Sequence, residues 1–341
     1  MITIVNNSSN RRWYHTRLIL LTLVAYGIGG WFLYIHEINN PNSRNPLAKL
    51  ETPATPFPIS VNPVTKTIAD HPELNSFITT EIASNHTPPR RAQSFFALLK
   101  EEIITHQWYQ QLASPISRTL VIYSGQRNEE IADAFAKILR WNNTEKATFI
   151  EMADSLPPSY SDGILYPGRY YVERDSDPEL IIKNISNRFD KMVRSRYTKE
   201  IEAVVPLADA LIIASLIERE AYDFTDMREI SGVIWNRLFI DMPLQLDATL
   251  QYVRGNNPYE RWWPVPRPAD KFLDSPYNTY QNKGLPPTPI ANPSIDSIVA
   301  ALNPINTDCI FYFHTPDGSF FCSVTYEEHV SKLRDKFGQG K

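Results

Sequence analysis

The chain has 341 residues and a formal net charge of −4, with 43% of its residues hydrophobic and 21% charged. That length supports one large domain or two small ones. The small acidic excess leaves no basic footprint for a nucleic-acid partner.

Leu18 to Ile35 is an uncharged run of 18 residues. As a helix it spans roughly 27 Å, enough for a bilayer core. Arg11, Arg12 and Arg17 precede it, whereas Glu37 follows it and no Lys or Arg comes before Arg44. This asymmetry places residues 1–17 in the cytoplasm and predicts a single-pass anchor over 18–36. A cleaved signal peptide is the rival reading, but His36-Glu37-Ile38-Asn39 is a poor cleavage site. Residues 37–64 carry prolines 41, 46, 53, 56, 58 and 63 among Asn, Ser and Thr, which predicts an extended spacer.

Gln93 to Gln111 has helical periodicity. Thr119–Tyr123 is read as a strand, Ser124-Gly125 as a turn, and Asn128 as the cap of a helix over Glu129–Leu139. Gly163–Val172 is read as a strand with a proline bend, and Pro178 opens a helix to about Tyr197. A buried helix follows from Pro206 to about Asp223, then a second from about Asp226 to Ile240. Pro243 to Thr249 is read as extended. Ser294 to Asn303 is read as a short helix, followed by a hairpin and a last helix from Tyr326 to Phe337. The expected class is α+β.

Asp317-Gly318 between aromatic-rich stretches signals the hairpin. With those two residues at the centre of the turn, Cys322 faces Phe313, and Cys309 lies four residues further along. At about 3.3 Å per residue that separation exceeds disulfide reach. Two free thiols are therefore expected, although an exported location would permit a bridge.

No His falls between His106 and His314, and no Cys precedes Cys309. The motif-dense region therefore holds no thiol nucleophile, no Ser-His pair and no His or Cys metal site. Gly-rich phosphate and dinucleotide fingerprints are missing too. Carboxylate, amide, hydroxyl and aromatic chemistry remains, the set of a carbohydrate site. Within it, Glu218 closes the apolar run Leu211-Ile-Ile-Ala-Ser-Leu-Ile217. A carboxyl delivered by so buried a helix loses water, which favours its protonated form and suits a general acid. A structural Glu paired with Arg would read the same way. Glu220, two residues on, points about 200° away and cannot face Glu218 as a pair. Asp226, Glu229, Asp241 and Asp247 are alternative second carboxylates that the sequence does not rank.

Several segments together resemble the endolytic murein transglycosylase family, also called MltG or YceG-like. They are Ala214-Ser-Leu-Ile-Glu218-Arg-Glu220, Val233-Ile-Trp-Asn236-Arg-Leu238, Leu244-Gln-Leu-Asp247-Ala-Thr249 and Ser275-Pro-Tyr-Asn-Thr-Tyr280, extended by Gly284-Leu-Pro-Pro287 and Ala291-Asn-Pro293. The resemblance runs roughly from Thr119 to Asp335 and is densest after Leu207. The chain departs from the family's Phe-Pro-Asp-Thr-Tyr at Tyr166-Pro-Gly-Arg-Tyr170, from its Asp-Pro-Thr at Asp247-Ala248-Thr249, and from its Thr at Ala221.

The resemblance implies a LysM-like glycan-binding region over 65–200 and a catalytic domain over 201–341. It implies an inner-membrane enzyme facing the periplasm that cuts the MurNAc-β-1,4-GlcNAc bond inside peptidoglycan strands. Cleavage would leave 1,6-anhydroMurNAc ends and terminate strand growth, with Glu218 as the catalytic acid and no cofactor or metal. The expected partners are glycan strands, the membrane and peptidoglycan synthases. The sugar's own 6-hydroxyl or acetamido group replaces the attacking water, so no second carboxylate is needed. A non-enzymatic scaffold and a hydrolytic muramidase are the competing readings.

Supporting roles are expected at seven positions. Asn236 meets substrate or orients Glu218, or else it is a buried Asn bonded to backbone. Gln245, Asp247 and Thr249 alternate on an extended segment and would share a glycan-facing side. Tyr277, Asn278 and Tyr280 lie in a proline-bounded loop suited to a sugar face. Trp262 and Trp263 either extend the groove or cover an apolar edge. Arg237 is read as structural, and Gly232 as a site of close chain approach.

Overall fold

The computed structural model describes residues 55–69, 74, 117–255 and 259–338. The expected anchor at 18–36, the start of the spacer and the helix at 93–111 lie outside them. Among the described residues no helix is long and apolar enough to cross a membrane. The last part of the expected spacer is folded: Phe57 and Val61 are buried, Phe57 N donates to Arg196 O at 3.1 Å and Ser60 N to Leu302 O at 3.0 Å. Two apolar side chains anchor a stretch whose prolines alone suggested extension. A two-residue ladder follows, β1 (Val61–Asn62) with β2 (Thr67–Ile68).

The first larger unit runs β3 (Ser117–Ile122), α1 (Asn128–Leu139), α2 (Asn143–Ser155), β4 (Gly168–Glu173). The strands pair antiparallel, Leu120 opposite Tyr170 and Ile122 opposite Gly168. Gly168, Tyr170 and Val172 turn inward while Arg169, Tyr171 and Glu173 stay exposed, the alternation of a sheet with one covered face. Ile131 and Phe135 of α1 and Phe149 of α2 are buried in the core of this unit, where the Phe135 and Phe149 rings meet edge to face at 5.6 Å. α2 escaped the sequence reading, although Asn142 and Glu145 form a capping box at its start. Asn128 does not cap α1: Arg127 occupies that position, and the Asn128 N–H goes to the Asp162 carboxylate at 2.6 Å.

α3 (Pro178–Met192), capped by Asp177, and the short α4 (Lys199–Val204) lead to the central helix α5 (Leu207–Glu220). Every residue from Ala210 to Ile217 is buried. Side chains such as Leu211, Ile213 and Leu216 each contribute about 1.5–3 kcal/mol of burial. α6 (Phe224–Phe239), capped by Asp223, packs on α5. α7 (Asp247–Gly255) and α8 (Ile295–Leu302) complete the surroundings of α5. Gly232 allows the approach expected of it: a Cβ there would sit 2.4 Å from the Ile305 carbonyl oxygen. The α+β class stands, with helices dominant and three two-stranded antiparallel sheets among the described residues.

The third sheet is the hairpin β5 (Phe311–His314) and β6 (Phe320–Ser323), followed by α9 (Tyr326–Phe337). Here the thiol expectation is corrected. Cys309 and Cys322 form a disulfide, with Cα atoms 5.7 Å apart. The loop holds three residues, closed by Thr315 N to Ser319 O, with Gly318 at φ +87°. Tyr312 therefore faces Cys322. The chain before Phe311 also leaves the strand, and Asn236 Nδ2 holds both Thr307 O (2.6 Å) and Cys309 O (3.0 Å). Counting residues along a straight strand consequently overestimated the separation. Replacing both cysteines by serine is expected to lower unfolding stability by about 3 kcal/mol, the loop-closure value for a short loop. Denaturant titration should show it, and reductant should reproduce it in the unmodified chain.

Candidate active site

The last turn of α5 carries Glu218, Arg219 and Glu220, each half-buried. Glu218 Oε2 accepts from the Ser294 backbone N–H at 2.9 Å and from the Ser294 hydroxyl at 2.6 Å. Among the described residues Oε1 has no hydrogen-bond partner, so one oxygen is fixed and the other is open. The sequence reading put Glu218 in apolar surroundings. The helix behind it is apolar, but the carboxyl itself meets a polar helix start. Among the described residues it has no guanidinium partner: the neighbouring Arg219 lies 3.8 Å over the Trp263 ring and donates to Gly125 O at 3.3 Å.

That contact brings the β3–α1 turn to the site. Gly125 adopts φ +78°, and a Cβ on it would lie 3.2 Å from Arg219 Nη1 and 3.7 Å from Glu218 Cγ. A side chain at 125 would therefore be strained by its own backbone and crowded by Arg219. Asn292, fully buried, locks the turn in place. Its backbone N and side-chain Nδ2 donate to Gln126 O at 2.9 and 3.0 Å, and its carbonyl accepts from Gly125 N at 2.8 Å. Its Oδ1 accepts from Leu165 N at 2.7 Å, and Nδ2 also donates to Asn128 Oδ1 at 3.1 Å. Trp263 adds a tie through Nε1 to Glu130 Oε2 at 3.3 Å.

Glu220 points elsewhere, as the helical spacing requires. Its Oε1 accepts from Ala248 N at 3.3 Å and its Oε2 from the Tyr312 hydroxyl at 3.1 Å. Burial raises its pKa, and the Asp247 charge adds to that, against the two donors and His314. Burial pushes the Tyr312 hydroxyl upward too. Beyond Tyr312, His314 Nε2 meets the buried Asp226 at 2.8 Å, and Tyr222 N donates to Asp226 at 2.7 Å.

The structure redistributes the other expected site residues. Asn236 follows the bland reading and anchors backbone at Thr307 and Cys309. The segment Gln245-Asp247-Thr249 is not extended: Gln245 takes φ +52° and α7 starts at Asp247. Thr249 turns inward to Leu246 O and Thr279 Oγ1, while Gln245 and Asp247 remain exposed. Asn278 is buried, holding Lys271 O and Leu273 O. Tyr280 is half-buried and donates to Asp247 Oδ1 at 2.7 Å, and half-buried Tyr277 bonds Thr288 Oγ1 at 2.8 Å. Gln245, Asp247, Tyr277 and Tyr280 thus keep surface, whereas Asn236, Thr249 and Asn278 are tied up in supporting backbone or side chains. Arg237 is structural, bonding Ile310 O at 2.6 Å and Leu244 O. Of the alternative carboxylates, Asp226 pairs with His314 and Asp241 with Lys283, and Glu229 is half-buried on α6. Among the described residues no cluster of His, Cys, Asp or Glu could hold a metal ion. Sequence reasoning missed Ser294, Asn292 and Tyr312. Ser294 left a signal as a helix cap, and Asn292 as the middle residue of Ala291-Asn-Pro293.

The sequence pattern of the YceG-like family matches residues 74–335. The chain belongs to the YceG-like family. A YceG-like protein from Listeria monocytogenes, solved by crystallography, superposes with a TM-score of 0.54 at 30% identity, covering 63% of this chain and 75% of the other. An endolytic murein transglycosylase of Bacillus subtilis (strain 168) is 35% identical over 181 residues, 53% of this chain and 49% of the relative. One from Streptococcus pneumoniae (strain D39) is 27% identical over 276 residues, 73% of this chain and 50% of the relative. The chain thus spans about half the length of the curated relatives it matches.

Two of the three departures from the family pattern have local explanations in this YceG-like chain, and nothing in the structure explains the one at Ala221. At Gly168, φ is +151° and a Cβ would lie 2.7 Å from Arg188 Nη1, so glycine makes room for the guanidinium, which lies 5.2 Å from the Tyr170 ring centroid. At Ala248 the backbone N–H reaches Glu220, a bond that proline could not make.

One buried acid links the βααβ unit to α7. Asp162 accepts from Asn128 N and, at 2.7 Å, from Tyr252 OH. Burial first, then the charge of Glu129, raises its pKa from 3.8 to about 7. The folded state therefore binds a proton that the unfolded state releases. The associated stability is present below pH 3.8 and lost as pH rises through about 7. The melting temperature should fall across that window, and Asp162→Asn should flatten the decline. An unchanged slope in the variant would contradict this assignment.

Proposed function

We propose that this chain is a membrane-anchored lytic transglycosylase that cleaves the MurNAc-β-1,4-GlcNAc bond within peptidoglycan strands. One observation carries the reading: a half-buried carboxyl at the end of the central helix, with Oε2 held by two donors and Oε1 open. Glu218 gives its proton from Oε1 to the glycosidic oxygen as the C1–O bond of MurNAc breaks. The MurNAc 6-hydroxyl oxygen then bonds to C1, and its proton passes to Glu218. The acid is regenerated, no water is consumed, and the strand ends in 1,6-anhydroMurNAc. The Ser294 donors stay in place for the carboxylate that exists between the two transfers. No metal or cofactor is required by these steps.

The likeness to endolytic murein transglycosylases of Bacillus and Streptococcus supports the substrate and the reaction. The Cys309–Cys322 disulfide supports a location outside the cytoplasm. With the charge asymmetry around residues 18–36, it supports an inner-membrane anchor and a periplasmic catalytic domain. The βααβ unit over 117–173 is our candidate LysM-like glycan-binding element, since its Gly125 turn lies against Glu218 and would lead a strand to the acid. Gln245, Asp247, Tyr277 and Tyr280 are the side chains offered to the sugars. A role in terminating nascent strands beside peptidoglycan synthases completes the proposal.

Digestion of purified sacculi by the detergent-solubilised full chain tests it. Anhydro-ended fragments in the mass spectrum are the expected product. Their absence, together with binding that survives Glu218→Gln, would favour a scaffold.

A further inference from the structure

We propose that Ser294 is a positioning residue for the general acid, turning Oε1 of Glu218 rather than Oε2 toward the scissile bond. The inference rests on the reading of Glu218 given under the proposed function. Ser294 approaches Oε2 with two donors, backbone N–H at 2.9 Å and hydroxyl at 2.6 Å. The hydroxyl oxygen in turn accepts from Ser297 N, the first-turn amide of α8, at 3.2 Å. Ser297 Oγ spends its own hydrogen on Ser294 O at 2.9 Å, and its oxygen lies 3.3 Å from Ser294 Oγ. The nearer acceptor for the Ser294 hydrogen is therefore Glu218. The result is a directed chain, helix amide to hydroxyl to carboxylate.

A Glu side chain has three rotatable bonds, and a half-buried one samples several orientations unless something holds it. Two donors on one oxygen, both from a residue fixed at the start of a packed helix, select a single orientation. Proton transfer needs the acid within hydrogen-bond reach of the glycosidic oxygen. An error of about 1 Å in placing a catalytic group lowers rates by about 10²-fold.

Ser294 also caps α8, so the test must separate capping from positioning. Asp caps a helix about as well as Ser, and Gly loses only a few tenths of a kcal/mol. Asp cannot donate to Glu218 and sets a second negative charge beside it. A capping role ranks Ser294→Asp with the unmodified chain and Ser294→Gly below both. Positioning gives another order in kcat on sacculi. Ser294→Thr stays near wild type, Ser294→Gly falls about tenfold as one donor is lost, and Ser294→Asp falls furthest while its melting temperature holds. KM should change little throughout. Ser294→Asp turning over like wild type, or Ser294→Gly within twofold of it, overturns the proposal. The chemical form of the released muramic acid end judges the transglycosylase reading, whereas the order of the variants judges Ser294. A wild-type chain without turnover removes both.

Discussion

Glu218→Gln is expected to abolish strand cleavage, lowering kcat by about 10³-fold, within the range general acids contribute. The substitution preserves shape. Its amide oxygen can take the place of Oε2 and keep both Ser294 donors, so helix packing and glycan binding should persist. What it lacks is a proton that can be released to the leaving oxygen. Glu220 is the natural control because burial raises its pKa, which by itself would suit an acid. Its two oxygens, however, are already occupied by Ala248 and Tyr312. Glu220→Gln should therefore keep turnover within about tenfold of wild type. Release of soluble fragments from saturating sacculi, beside circular-dichroism melts, checks both variants. An active Glu218→Gln with an inactive Glu220→Gln would exchange their roles.

Asn292→Leu is expected to give the largest loss of stability of any single polar substitution considered, about 3–5 kcal/mol. The side chain's Oδ1 and Nδ2 meet Leu165 N, Gln126 O and Asn128 Oδ1 in a fully buried position. Leucine fills similar volume but leaves the Leu165 amide and the Asn128 side chain without that partner away from water. The energetic loss falls where the βααβ unit meets the segment leading into α8. Residual folded protein should also turn over more slowly, because the Gly125 turn beside Glu218 is held by the same residue. Urea titration measures the first effect. A midpoint change equivalent to less than about 1 kcal/mol would mean that the docking is held elsewhere.

Elements marked by local periodicity and end signals were legible in the sequence. α5, α6, α8 and α9 were read close to their observed bounds because their periodicity and caps are local. Glu218 stood out for the same reason, as a carboxylate ending an apolar run. What was lost depends on partners distant in sequence or on a single backbone angle. Asn128 looks like a cap, but Asp162, brought close by the fold, takes that role. Gln245 at φ +52° ends the extended segment and lets α7 begin at Asp247, which turns Thr249 inward. The disulfide was missed because straight-strand arithmetic ignores the departure of the chain before Phe311 and the three-residue turn. α2 was missed despite a readable capping box, since its apolar face is narrow: only Phe149 and Ala153 are buried. Asn292 stood in the resemblance segment Ala291-Asn-Pro293, but its role was not legible, because a buried Asn binding backbone looks like any other Asn.

The central claim is that an intramolecular hydroxyl, not water, completes the reaction begun by Glu218. Digestion of sacculi in heavy-oxygen water tests it most directly. The expected fragments are one water lighter than reducing-end products and carry no solvent oxygen at their muramic acid ends. Reducing-end muramic acid labelled with heavy oxygen would show that water attacks, and would make the chain a hydrolase.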